Sequence, residues 1–247
     1  MRTSVYNIKA YIIHLHRATR RQLNVEMLAR ALEVPVTVLH AEDERWITPE
    51  TLDKHVRRRL YRPYYPFPLN RAEVACFLSH RRAWRTIVED GVHAGLILED
   101  DAALTAEFDP AFDVARRALQ NGALVRFPYR NDREHGRVLF QDGDHQVIEP
   151  NPVGLGMVAQ LVSREAAQRL LIATRHFDRP VDVFAQMHWV TGIAPLSVRP
   201  SGIREVSHEL GGSMLKQRKG VLDRISHEVL RPIYRRKVRS YSARRPA

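Results

Sequence analysis

A single cysteine, Cys76, among 247 residues leaves no partner for an intramolecular disulfide and rules out a cysteine-rich zinc site. Such sparing use suits a reducing cytoplasm. Long apolar runs are missing as well: none approaches the roughly 18 residues that span a bilayer. The first twenty residues hold only a brief apolar patch, AYIIHL, broken by His14. Without a long apolar core or a small-residue cleavage site, no secretory signal peptide is expected there. No internal repeat of about 20–50 residues and no low-complexity tract is found. Helix-turn-helix, zinc-finger and RNP patterns are absent too, so the net charge of +11 does not point to nucleic acid.

The charge is unevenly placed. Residues 216–247 hold eleven of the 39 basic side chains but only two acids, Asp223 and Glu228, whereas the remaining 215 residues carry 28 basic against 26 acidic groups. The body is nearly neutral, and the basic character belongs to a tail. The expected division is therefore a domain over 1–215 followed by a basic segment over 216–247. The tail interleaves its charges with Val221, Leu222, Ile225, Val229, Leu230 and Ile233 at spacings of three and four. That predicts an amphipathic helix up to Pro232, of the kind that lies on an anionic membrane surface.

With 44% hydrophobic residues the body can build an ordinary core. A strand through VYNIKAYIIHL, a helix with Leu23, Met27, Leu28, Ala31 and Leu32 at helical spacing, and a strand at PVTVLH form a βαβ order. This signature predicts the α/β class with helices on both faces of a sheet. A helix starts at Pro49 behind Thr48, and an aromatic, proline-rich stretch, YRPYYPFPLN, reads as a loop fit to wall a cleft. The segment RAEVACFLSHRRAWRTIVEDG is a well-patterned helix ended by Gly91. Further helices are expected from an Asp109 cap to Gly122 and behind Ser163, with strands joined by a turn at Asp142-Gly143.

Between those helices the apolar strand AGLIL runs straight into Glu99-Asp100-Asp101. Three adjacent carboxylates repel one another and need a stabilising partner. On the residues alone three readings stand: an exposed acidic loop, a hard-cation site for Mg²⁺ or Mn²⁺ holding substrate phosphates, or a general acid/base pair. The position at a strand's carboxyl end, where open α/β sheets bind ligands, favours the cation.

EVACFLSHRRAW followed by LILEDDAAL resembles glycosyltransferase family 25, the lipooligosaccharide galactosyltransferases and their collagen-modifying relatives. The matching residues are Glu73, Cys76, Ser79, His80, Trp84, Glu99, Asp100 and Asp101, with Leu15, Arg17 and Arg21 in the opening motif and Pro180, Val181 and Asp182 in a later one. The likeness spans about residues 8–210. Ala75, His14 and Gln160 depart from the family's usual glycine, asparagine and tyrosine, and no carboxylate is lost.

The resemblance implies a GT-A-type, Rossmann-like, mostly parallel sheet and an inverting, metal-dependent transfer of a hexose. Galactose from UDP-galactose, as the UDP-sugar donor, would pass to a bacterial lipopolysaccharide, lipooligosaccharide or other surface glycan or glycolipid. In that scheme Glu99 and Asp101 hold Mn²⁺ or Mg²⁺, sharing one face if the strand continues through them, and His208 completes the shell. Asp100 faces the ribose or a supporting hydrogen bond. Arg17, Arg21, Ser79 and His80 contact the donor, and Asp182 is the base. Cys76 reads as a packed thiol. The expected location is the cytoplasm, peripheral to the inner face of the bacterial inner membrane. The alternatives are a metal-dependent phosphotransferase and an inactive glycosyltransferase-like protein recruited by its tail. Oligomeric state leaves no mark in the sequence.

Overall fold

Alternation along the inner strands builds two cores back to back. In the computed structural model, which describes residues 6–119, 122–130, 134–212 and 221–243, β1 (Ile8–His14) sends Ala10 and Ile12 to one face and Tyr11 and Ile13 to the other. The connected elements are α1 (Gln22–Ala31), β2 (Val36–His40), α2 (Pro49–His55), α3 (Arg71–Glu89) and β3 (Ala94–Glu99). Next come β4 (Ala102–Leu104), α4 (Phe108–Arg117), β5 (Leu124–Arg126), the hairpin β6 (Gly136–Asp142) and β7 (His145–Pro150), then β8 (Ala159–Ser163). The chain closes with α5 (Arg164–Ala173), α6 (Val181–Ala185), α7 (His188–Thr191), β9 (Leu196–Arg199), β10 (Ile203–Glu205) and α8 (Val221–Ser242).

Eight strands form one sheet in the order β2-β1-β3-β8-β5-β9-β7-β6, and β4 pairs with β10 in a small second sheet. The pairings leave six strands of the large sheet pointing one way, with β7 and β8 reversed. This is the mostly parallel α/β sheet expected from the sequence. Helices α1 and α4 cover one face through Val25, Leu28, Phe108 and Val114. Helices α3 and α5 cover the other through Val74, Phe77, Trp84, Ile87 and Leu170. The chain leaves β1 for β2 on one side and returns to β3 on the other, so the crevice beyond β1 and β3 is a topological switch point.

Close packing at the sheet centre explains Gly95. A methyl group there would overlap the Ile87 side chain and come within 2.8 Å of Tyr11 Cε2, both fully buried. Gly95→Ala is expected to cost about 1–3 kcal/mol through overpacking. A thermal melt should move down by several degrees, and an unchanged midpoint would mean that the α3–β1 interface yields freely.

Several sequence expectations shift. Helix α1 buries Asn24, Val25 and Leu28, while Leu23 and Met27 are 67% and 53% exposed. The helix is rotated so that the Asn24 amide can serve carbonyls beneath it. Helix α4 starts at Phe108 and ends at Arg117, without the Asp109 cap or the run to Gly122. Buried Phe108 anchors its first turn instead. Ser163 does cap α5, accepting from Ala166 N, and Thr48 caps α2.

Helix α8 runs through Pro232 rather than stopping there. Proline inside a helix forfeits a backbone hydrogen bond, and docking of the following turns offsets that cost. Tyr234 and Val238 are buried against Val183, Tyr65 and Trp189, and the Tyr234 hydroxyl accepts from Arg179 Nη1 at 2.7 Å. The beginning of the basic segment, through residue 220, and residues 244–247 lie outside the described residues. No described helix is long and apolar enough to cross a membrane.

Candidate active site

Strand β3 ends at Glu99, and Asp100 and Asp101 form a turn before β4. The strand does not continue through the triplet, so alternation does not bring Glu99 and Asp101 onto one face. The turn separates the carboxylates and each receives its own partners.

Asp100 is buried and fully engaged. One oxygen takes a charge-assisted bond from Arg21 Nη1; the other meets His14 Nδ1 at 2.9 Å and Leu15 N at 3.3 Å. Asn24 clamps the same turn by donating to the Asp100 and Ala102 carbonyls at 2.9 and 2.8 Å. Asp100 thus holds the turn against the end of β1. Arg21 is itself buried, reaching Asp101 Oδ2 at 3.1 Å and Gly212 O at 3.0 Å. Its guanidinium offsets the crowding of the acidic triplet. Arg17 is spent on Asp43, at 2.8 Å, and on Glu44, at 3.4 Å.

Asp101 keeps one oxygen, Oδ1, buried and without a hydrogen-bond partner. Burial first, and the Glu99 charge next, push its carboxyl up to about 7. An orphaned carboxylate oxygen beside a half-exposed Glu99 is the donor chemistry that a hard divalent cation satisfies. The donor chemistry of Asp101 and Glu99 therefore fits a hard divalent cation.

His80, on α3, meets Glu99 Oε1 through Nε2 at 3.0 Å, and its Nδ1 accepts from Gln160 Nε2 at 3.2 Å. Cys76, one turn earlier, places its sulfur with the His80 ring and the Glu99 carboxylate, the three ligand atoms lying within 4.8 Å of one another. Burial raises the Cys76 thiol well above its ordinary value. Ser79 donates to Ala75 O and accepts from Glu42 N, both at 2.8 Å, and so ties the loop after β2 to α3. Arg17, Arg21, Ser79, His80, Glu99, Asp100 and Asp101 all line one pocket of about 130 Å³ at the switch point.

His208 does not join that group. It is exposed in the turn after β10 and its charge acts on Glu205. Asp182 lies in α6 and lines a second cavity of about 540 Å³, with Tyr65, Phe67, Tyr129 and the α8 arginines. Its Oδ1 accepts from Val183 N at 2.8 Å and its Oδ2 from Gly156 N at 3.2 Å. Burial raises its pKa and Glu99 adds to the rise, against the two backbone donors. A carboxylate so placed is a better proton acceptor than an exposed one. Tyr65 and Phe67 bring the aromatic loop to the lining of this cavity, while Tyr61 of the same loop packs against Phe184 in the core.

Asn24 has no place in the sequence motifs, and His14 and Gln160 stand out there only as departures from the family's usual residues. The available signal was Asn24 itself, a polar side chain inside an otherwise apolar helical stripe, which requires a buried partner.

At the rim, Arg45 and then Arg17 hold Asp43 below the usual carboxylate range. A depressed folded value means that the stabilisation is present above the unfolded value of about 3.9 and is lost as the pH falls through the folded one. Asp43→Asn should flatten the decline of the melting midpoint between about pH 5 and pH 2.5. Parallel declines in variant and parent would show that the Asp43 cluster adds nothing.

A model of the family described as "Glycosyltransferase family 25 (LPS biosynthesis protein)" matches residues 7–185. Human "Procollagen galactosyltransferase 2" is 29% identical over 190 residues, covering 70% of this chain and 29% of its own. A Drosophila melanogaster "Glycosyltransferase 25 family member" is 27% identical over 189 residues, covering 71% and 30%. The chain therefore spans under a third of the length of these relatives. Among solved structures, a glycosyltransferase involved in glycosylation of the PBCV-1 major capsid aligns over 67% of this chain and 64% of its own, at 10% identity and a TM-score of 0.36.

Proposed function

The chain belongs to glycosyltransferase family 25, and from that membership we propose that it transfers galactose from UDP-galactose, with inversion, onto a bacterial surface glycan such as lipopolysaccharide or lipooligosaccharide. The observation that carries the reading is the buried, partnerless Asp101 Oδ1 beside Glu99 at the switch point of the sheet. Asp101 and Glu99 would hold Mn²⁺ or Mg²⁺, which when bound supplies Lewis-acid stabilisation of the leaving diphosphate.

The chain's own groups do the rest. Arg21, His14 and Asn24 fix the acidic turn so that its carboxylates need no rearrangement during the reaction. His80 orients the Glu99 carboxylate, and Gln160 orients His80. Asp182 takes the proton of the acceptor hydroxyl as that oxygen attacks, its raised pKa matching the task.

Exposed Val229, Leu230 and Ile233, with Arg236 and Lys237 on the outward side of α8, support peripheral contact with an anionic membrane on its cytoplasmic face. The test of the enzyme reading is nucleoside diphosphate release from a panel of nucleotide sugars, with Mn²⁺ and with chelator. Metal-dependent release from UDP-galactose supports it. Binding and turnover of no donor would refute it.

A further inference from the structure

Two of the arginines that line the cavity above Asp182, Arg235 and Arg239, are ion-paired with none of the cavity's described carboxylates. On α8, Arg231, Arg235 and Arg239 recur every four residues, and all three line this cavity. Buried Tyr234 and Val238 set the helix's rotation, because Tyr234 packs edge-on against Tyr65 at 5.3 Å and bonds Arg179. Arg130, also in the lining, lies over the Tyr129 ring at 4.9 Å.

Two of the acidic groups of the same cavity are held by other partners. Glu134 is ion-paired with buried Arg126 and bonded by Ser197. Asp182 is bonded by two backbone N–H groups. No described carboxylate is ion-paired to Arg235 or Arg239.

Like charges repel when brought together, and a ladder of guanidinium groups along a cleft is best balanced by an anion within it. The volume of about 540 Å³ suits a small saccharide. Tyr65, Phe67 and Tyr129 offer apolar ring faces to sugar C–H groups, and the arginine fork matches phosphate and carboxylate geometry.

We propose that the acceptor bound over Asp182 is a saccharide bearing a phosphate or carboxylate close to its reacting hydroxyl, and that Arg235 and Arg239 are the specificity-determining residues for that charge. This rests on the transferase reading above, with Asp182 facing the acceptor. It gives the basic helix two sides: an inner one that reads the substrate and the outward one already described.

The experiment titrates the full-length chain with glucose, glucose 6-phosphate, glucuronate and inorganic phosphate, followed by NMR shifts of uniformly ¹⁵N-labelled protein. The charged sugars should bind about tenfold more tightly than glucose, as expected for one charge-assisted contact. Arg235→Gln/Arg239→Gln should bring them down to the level of glucose, and the Arg235→Lys/Arg239→Lys variant should keep a preference for charge. Equal affinities for charged and neutral sugars, or a preference untouched by the glutamine variant, would overturn the proposal. So would inorganic phosphate binding as tightly as glucose 6-phosphate, which marks a plain anion site. Flotation with phosphatidylglycerol vesicles separates the lipid source: vesicle binding lost in the glutamine variant, with sugar preference intact, overturns the proposal in favour of a membrane surface. Binding and hydrolysis of UDP-galactose by the wild-type chain without acceptor are followed alongside. Absence of both UDP-galactose binding and hydrolysis, with charged-sugar preference preserved, defeats the donor reading alone, and the reverse pattern defeats the acceptor proposal alone.

Discussion

Asp182→Asn is expected to lower sugar transfer by roughly 10²–10⁴-fold, the range that general-base assistance supplies. The amide is nearly isosteric, and its carbonyl oxygen can still accept one of the two backbone bonds, from Val183 N or Gly156 N, that fix the side chain. What disappears is the ability to take a proton. The decisive comparison is transfer to a glycan acceptor against donor hydrolysis by water under the same conditions. Transfer should collapse by more than donor binding weakens, so the loss falls in kcat rather than in the KM for the nucleotide sugar. The acid limb of the pH profile should also lose the contribution of Asp182, whose pKa burial raises, and keep that of Asp101. A variant that transfers at the parental rate would remove Asp182 from the chemistry and leave it as a brace for Gly156.

Asp101→Asn is expected to abolish tight Mn²⁺ binding and to reduce turnover by about 10³-fold or more, corresponding to several kcal/mol of lost charge stabilisation. A structural explanation of such a loss is tested by the melting midpoint, since Asp101 also meets Arg21 at 3.1 Å. A midpoint within a few degrees of the parent's leaves the metal as the cause. Manganese electron paramagnetic resonance reads the binding loss without reference to activity. Unaltered Mn²⁺ affinity in a well-folded variant would transfer the metal to the Cys76–His80–Glu99 group, whose softer donors favour zinc over manganese.

The contrast between these two carboxylates shows how far local pattern reaches. Glu99-Asp100-Asp101 stands out because an apolar run meets three acids, and the βαβ order around it already places the triplet at a strand's carboxyl end. Strand alternation, N-caps at Thr48 and Ser163, and the apolar face of α3 are equally local, each depending on neighbours within a few positions. The sequence by itself therefore determined the α/β class, the position of the acidic turn and most of the residues around it. Its periodicity fails where a polar residue is buried for a distant partner, as Asn24 is, or where docking extends an element, as it does for α8 through Pro232.

The partners of those residues were decided only by the tertiary structure. Arg21 and Asp100 are 79 positions apart, and His14 and Asp100 are 86 apart; they meet because β1 and β3 are adjacent in the sheet. That adjacency spends Arg21 on the acids, while Asp101 Oδ1 has no hydrogen-bond partner and His208 lies exposed outside the pocket lining. Folding back of α8, anchored by Tyr234 and Val238, turns a basic tail into one wall of the Asp182 cavity. Short-range patterns encode elements because backbone geometry repeats along the chain. A site is built by side chains whose convergence depends on strand order and helix rotation, and those are set by burial summed over the whole molecule.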